Sequence, residues 1–425
     1  FELYQRARKS LHGGVPMLWM IRWAGSFPVF VKEAKGAHFT DVDGNDYIDF
    51  CLGDTGAMTG HAPEATAKAI TEQIQKGITL MLPYEDVIWV GEELQRRFKL
   101  PYWQFALTAT DANRFALRMA RLITGRSKVL VFNYCYHGSV DETFITLDEE
   151  GTPMSRPNNM GPQIDPRETS KVIEFNDIAA LETALSARDV AVVLAEPAMT
   201  NIGIIHPDPG YHKALRDITR KYGTYLIIDE THTICAGPGG YTASHSLEPD
   251  FLTLGKPLAG GVPAAIYGFT EEVSQAFAAK LAMDDADVGG IGGTLAGNAL
   301  SIAAMKATLQ HVLTEDFYAK ATSLQEQFTE GVQSVIKEFQ LPWIVKQLGN
   351  RSEYWFRPNP PKNGGEAHAA IDPELDRYMH LYALNRGILM TPFHNMALIS
   401  PETTQADVDY HTKVFKEAVT SLFGN

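Results

Sequence analysis

The sequence predicts an α/β protein: a mostly parallel sheet in a large domain, with a smaller α+β domain assembled from both termini. Three observations carry this. Short apolar runs alternate with helical patterns through the middle of the chain. Polar clusters stand immediately after three of those runs. Beyond about Leu309 the texture changes to long amphipathic helices and short alternating pieces. Strands separated by helices of this length predict βαβ units and a parallel sheet.

Taken in order, residues 37–41 and 46–50 flank Asp43-Gly44-Asn45, a hairpin signal. Residues 113–123 read as a helix, 129–132 as a buried strand, and 190–195 as a second strand. Residues 210–221 read as a helix and 225–228 as a third strand. Residues 315–339 form a long amphipathic pattern; 353–357 alternate, and 358–365 are rich in Pro, Asn and Gly. No repeat or low-complexity tract interrupts them. The expected division is therefore 1–54 and 309–425 in the small domain, with 55–308 forming the large one.

Composition narrows the function classes. At 425 residues the chain exceeds what one small core organises. A net charge of −14 argues against a nucleic-acid partner. No apolar run approaches the roughly 20 residues that span a bilayer, so no membrane association is expected. Cys51, Cys135 and Cys235 are few and far apart, which disfavours a disulfide framework or a metal site and suits a reducing, cytoplasmic setting.

In parallel sheets ligands sit at the carboxyl ends of strands, which directs attention to Tyr136-His137-Gly138, Glu196-Pro197 and Asp229-Glu230. Lys256 follows another apolar run and precedes Gly260-Gly261. A desolvated lysine is a nucleophile toward an aldehyde; the alternative is a surface lysine in a turn. Asp229 ends its run, where a carboxylate can hold a protonated pyridine nitrogen or merely cap a helix. A lysine 27 residues after that aspartate, across one expected strand, favours the cofactor reading of both. Thr108-Ala109-Thr110-Asp111-Ala112-Asn113 opens a helix with small and hydroxyl residues, leaving N–H groups for a phosphate or simply an N-cap. Gly292-Gly293-Thr294-Leu295-Ala296-Gly297-Asn298 is a second glycine-rich approach to a helix.

These motifs, in this order, resemble the class III, fold-type I pyridoxal-5′-phosphate (PLP) aminotransferases, on the branch of the glutamate-1-semialdehyde aminomutases. The likeness includes Gly13-Gly14-Val15, Lys35-Gly36-Ala37, the stretch 41–49 and Gly60-His61, and runs over nearly the whole chain. The resemblance implies that Lys256 carries PLP as a Schiff base and shuttles a proton, while Asp229 holds the pyridinium. It implies that Tyr136, beside His137, stacks on the ring and that Ala109 and Thr110 bind the phosphate. Glu196 would lie near the ring hydroxyl. Thr294 would reach the phosphate of the neighbouring subunit, making a homodimer.

Departures from the family pattern matter as much. Thr231 and His232 stand where the family usually has Val and then Gln or Met; His232 is expected to be a structural residue, with a donor role as the alternative. Where relatives acting on amino acids often carry a carboxylate-binding arginine, this chain has Trp19 and Met20, with Arg22 and Trp23 following. With Phe393, they suggest a pocket for a bulky or aromatic donor. Residues 147–166 lack the glycine/serine-rich gating loop of the mutases, and the stretch around Phe393 lacks their acidic residue. The expected reaction is thus transamination between an amine or amino acid and a keto acid. The alternatives are an aminomutase or racemase, or a catalytically silent paralogue.

Overall fold

The computed structural model describes residues 1–160, 164–280 and 288–424. It divides into two units, one of Phe1–Pro63, Asp316–Pro360 and Ala370–Asn425, the other of Glu64–Glu315 and Pro361–Ala369.

The larger unit is built on a seven-stranded sheet. Its order is Tyr102–Ala106, Ala265–Phe269, Phe251–Leu254, Tyr225–Asp229, Val190–Ala195, Lys128–Phe132 and Ser170–Ile173. The last five run parallel, and Ala265–Phe269 is antiparallel to both neighbours. All six residues of Val190–Ala195 are buried, as a continuous apolar run in the middle of a parallel sheet requires.

The helix Ala109–Thr124 starts four residues earlier than its apolar periodicity indicates. Thr108 caps it by accepting from the Asp111 N–H, and Gly125 ends it at φ +68°. Its buried face runs through Ala112, Asn113, Phe115, Ala116, Met119 and Ala120. The segment Pro361–Ala369 belongs to this unit although it falls in the sequence range expected for the small domain. Gly364 packs so closely on Asn133 that a Cβ would lie 2.0 Å from the Asn133 carbonyl, and His368 stacks on Tyr134 at 4.3 Å.

The smaller unit holds two sheets. Val31–Lys35, His38–Asp41 and Asp46–Asp49 pair antiparallel, and Ile388–Leu389 joins them in parallel. The expected hairpin is tied by Asp41, whose Oδ1 accepts the N–H groups of Asp43 and Asn45, both at 2.9 Å. The second sheet is Ile344–Leu348, Arg351–Trp355 and Met396–Leu398. Its central strand is buried at all five positions rather than alternating. One side carries Ser352, bonded to Thr329, and Tyr354, against Phe415; the other carries Glu353, 3.2 Å from His394.

Candidate active site

The parallel register of two strands builds the centre of the site. Asp229 pairs with Thr253, so the residues three further along each chain, His232 and Lys256, emerge side by side. Lys256 Nζ lies 2.7 Å from His232 Nε2. His232 is buried and Lys256 half-buried. His232, expected to be a structural residue with a donor role as the alternative, thus stands in hydrogen-bond contact with the lysine amine. Lys256 itself sits at φ +49°, a left-handed conformation costing a lysine about 1 kcal/mol. Backbone strain of this kind persists where surroundings fix one side-chain direction.

Asp229, at the strand's end, is almost wholly buried. Its Oδ2 accepts from Asn113 Nδ2 and faces His137 Nδ1, each at 2.9 Å, and its Oδ1 accepts from the Thr231 N–H at 3.0 Å. Burial alone would raise its pKa, but the His137 hydrogen bond and charge, with Thr231 and Asn113, outweigh it and hold the carboxyl below its ordinary 3.8. His137 is the reciprocal case. Burial opposes its charged form, yet Cys135 and Asp229 lift it above its usual 6.5. The result is a desolvated carboxylate kept ionised by its partners.

Asn113 organises the arrangement and has no role in the sequence reading. Its amide donates to the His137 carbonyl at 3.1 Å as well as to Asp229, while its oxygen accepts from Thr253 at 2.6 Å. One buried side chain thereby links three strand ends. A polar residue on the otherwise apolar inward face of its helix is the signal that could have marked it.

Two glycines bring neighbouring turns onto the start of that helix. A Cβ on Gly138 would lie 2.1 Å from Thr110 Oγ1, and one on Gly255 would lie 3.1 Å from the Ala109 nitrogen. The turn after Lys128–Phe132 and the turn carrying Lys256 therefore both reach Ala109 and Thr110. Thr110 Oγ1 accepts from the Ser139 N–H at 3.0 Å. The first N–H groups of a helix lack intrahelical acceptors, and both stand at this junction.

Glu196 is buried, bonded to Thr200, and its pKa is raised, by burial first and by Asp229, against the opposing charge of His137. Tyr136 is half-buried beside His137. Thr294 is exposed, in the turn closed by the Ala296 N–H on the Gly293 carbonyl, just before the helix Ala299–His311. The remaining expected pocket residues lie in the smaller unit. Trp19 meets Phe393 edge-on at 5.5 Å, and the Arg22 guanidinium lies 5.9 Å from the Phe393 ring centre. Trp19, Met20 and Phe393 are exposed there, and Trp23 is half-buried. The stretch 147–166 starts at the last residue of the strand Ile145–Leu147 and contains its antiparallel partner Pro153–Ser155; its residues 161–163 lie outside the described residues.

Fold and site together define a fold-type I PLP-dependent enzyme, with PLP as the cofactor. The chain belongs to the class-III aminotransferase family, whose model matches residues 19–419. It is 30% identical to glutamate-1-semialdehyde 2,1-aminomutase of Desulfitobacterium hafniense, over 99% of this chain and 98% of that one. A crystal structure of a glutamate-1-semialdehyde aminomutase from Pseudomonas aeruginosa PAO1 is 48% identical with a TM-score of 0.97, covering 99% of this chain and 94% of its own. A lysine-to-alanine variant of that protein is solved in complex with PMP. An omega-transaminase from Sphaerobacter thermophilus is 27% identical with a TM-score of 0.89, covering 99% and 96%. No helix among the described residues is long and apolar enough to cross a membrane.

Proposed function

We propose that this protein is an aminomutase, moving an amino group between adjacent carbons of one amino aldehyde skeleton. The likeness that carries the reading is the 48% identity and 0.97 TM-score to a solved glutamate-1-semialdehyde aminomutase over nearly the whole chain.

The residues present fit PLP by their own chemistry. An ionised, buried Asp229 matches a protonated pyridine nitrogen. The N–H groups of Ala109 and Thr110 suit a phosphate, Tyr136 a ring face, and the Lys256 amine an aldehyde. Glu196 and Thr231 complete the polar surroundings of Asp229. When bound, PLP supplies an electron sink for the pair released as a C–H bond beside the amino group breaks. Lys256 would hold the cofactor, and its amine is the group placed to carry a proton between carbons. His137 and Asn113 keep Asp229 ionised and in place.

Transamination with an amine donor and a keto acid is the second reading. It is favoured by the Trp19–Phe393 pair, which offers an apolar, aromatic surface where a carboxylate-binding arginine is usual. We also propose a homodimer in which Thr294 reaches the neighbouring subunit's cofactor phosphate.

Incubation with glutamate 1-semialdehyde alone separates the readings. An aminomutase converts it to the isomer with amino and oxo groups exchanged, without any added donor or acceptor. No isomer, together with loss of the visible cofactor band on adding aromatic amines and its return with a keto acid, would overturn the aminomutase in favour of the transaminase.

A further inference from the structure

We infer that His232 is the base that takes a proton from Lys256 when the lysine amine joins the cofactor. The inference rests on the reading of Lys256 as the cofactor lysine and adds a residue to it.

Three observations carry it. The Nζ–Nε2 separation of 2.7 Å is that of a direct hydrogen bond between two bases. Two nitrogens at that distance cannot both point a proton at each other, so one proton lies between the pair. The contact is also fixed by backbone. His232 and Lys256 stand three residues beyond the paired residues Asp229 and Thr253, on adjacent parallel strands. Finally, His232 is only 8% exposed, so bulk water has poor access to the proton at this position.

The two carboxylates that precede His232 on its own segment have other partners. Asp229 is bonded to His137 and Asn113. Glu230 is bonded to Thr233 and to the Tyr241 and Thr242 N–H groups. His232 lies within hydrogen-bond reach of the lysine amine, and an imidazole is a base suited to accepting a proton there.

The step balances as follows. The Lys256 ammonium gives one proton to His232 Nε2, and the freed nitrogen lone pair forms a bond to the aldehyde carbon. The carbonyl π pair moves onto oxygen. That oxygen collects two protons, one directly from the nitrogen and one returned by His232, and leaves as water. The third ammonium proton and the positive charge stay on nitrogen in the C=N bond. His232 ends as it began.

The test uses cofactor-free protein and two variants, His232→Gln and His232→Met, which keep the bulk but not the base. Recombination with PLP is followed by the rise of the visible band across pH 6 to 9. Binding of pyridoxamine phosphate, which carries an amine in place of the aldehyde and cannot join a lysine, is measured beside it by fluorescence quenching. Both variants should recombine about 100-fold more slowly at neutral pH, a usual size for loss of a positioned base. Their rates should stay below the wild type across that range, and pyridoxamine phosphate should bind as in the wild type. Wild-type rates and pH profile in both variants would overturn the inference. So would a loss of pyridoxamine phosphate affinity that matches the loss of rate, since His232 would then shape the pocket rather than move a proton. Failure of the underlying reading looks different: a visible band that forms equally well in Lys256→Ala.

Discussion

Among single residues, the buried pair of His137 and Asp229 makes the sharpest demand on pH. Asp229 is held below its ordinary 3.8, so its contribution to stability is present above that value and lost as pH falls through the lower folded one. His137 is held above 6.5, so its contribution is complete below that value and lost as pH rises through the raised folded one. The pair therefore contributes fully between pH 3.8 and 6.5. Thermal unfolding of cofactor-free wild type and His137→Gln should show their largest Tm gap in that window, closing on both sides. A gap that ignores pH would mean that the pair carries no charge. Asp229 and Lys256 were legible from sequence because each ends a recognisable apolar run. Asn113 and the His232–Lys256 contact were not. Both depend on strand order and register, which bring together residues 116 and 24 positions apart with no local pattern to announce it.

Elements explain why the site can be so compact. The strands and the helices Ala109–Thr124 and Tyr211–Tyr222 follow from apolar periodicity, and the ends of those helices from Thr108, Gly125 and Gly223. What periodicity does not express is how closely the turns after the strands approach the helix start. Gly138, at φ +79°, meets Thr110 with no room for a methyl group, whereas Gly44, at φ +86°, has nothing within 4 Å. Comparing alanine at the two positions separates conformation from contact. Gly44→Ala should cost about 1 kcal/mol, the penalty of a left-handed alanine. Gly138→Ala adds a clash to that penalty and should cost about 2–4 kcal/mol in urea unfolding while weakening PLP binding. Equal costs, with PLP affinity intact, would show that the turn moves away from the helix freely. The strand Arg351–Trp355 gives the converse lesson: the alternation read over 353–357 records polarity rather than exposure, and here polar groups such as Ser352 and Glu353 are buried with partners.

At the scale of the whole molecule, the segment before the helix Glu85–Phe98 leaves apolar side chains in solvent. Leu80, Met81 and Leu82 are exposed, the last two by 73% and 71%, and Leu295 is exposed beside Thr294. The Ala299 N–H bonds the Ile78 carbonyl and the Tyr84 hydroxyl bonds the Gly297 carbonyl, so the two segments form one surface. Exposed apolar surface of this kind suits the homodimer proposed above, a symmetric pair being the commonest assembly. If Thr294 serves the neighbouring subunit's phosphate, each site is assembled from Lys256 of one chain and Thr294 of the other. Thr294→Val should then weaken PLP binding about tenfold, the usual loss for a hydrogen bond to a charged group. Lys256→Ala should abolish turnover on its own. Mixing the two variants under conditions that exchange subunits puts both substitutions into one site of each hybrid dimer and neither into the other. Random exchange at equal concentration should restore roughly a quarter of the wild-type sites, because half of the dimers are hybrids and each holds one intact site. If Thr294 instead acted within its own chain, no site in any hybrid would be intact. Activity after exchange would then stay at the sum of the unmixed variants, and the shared-site dimer would be excluded.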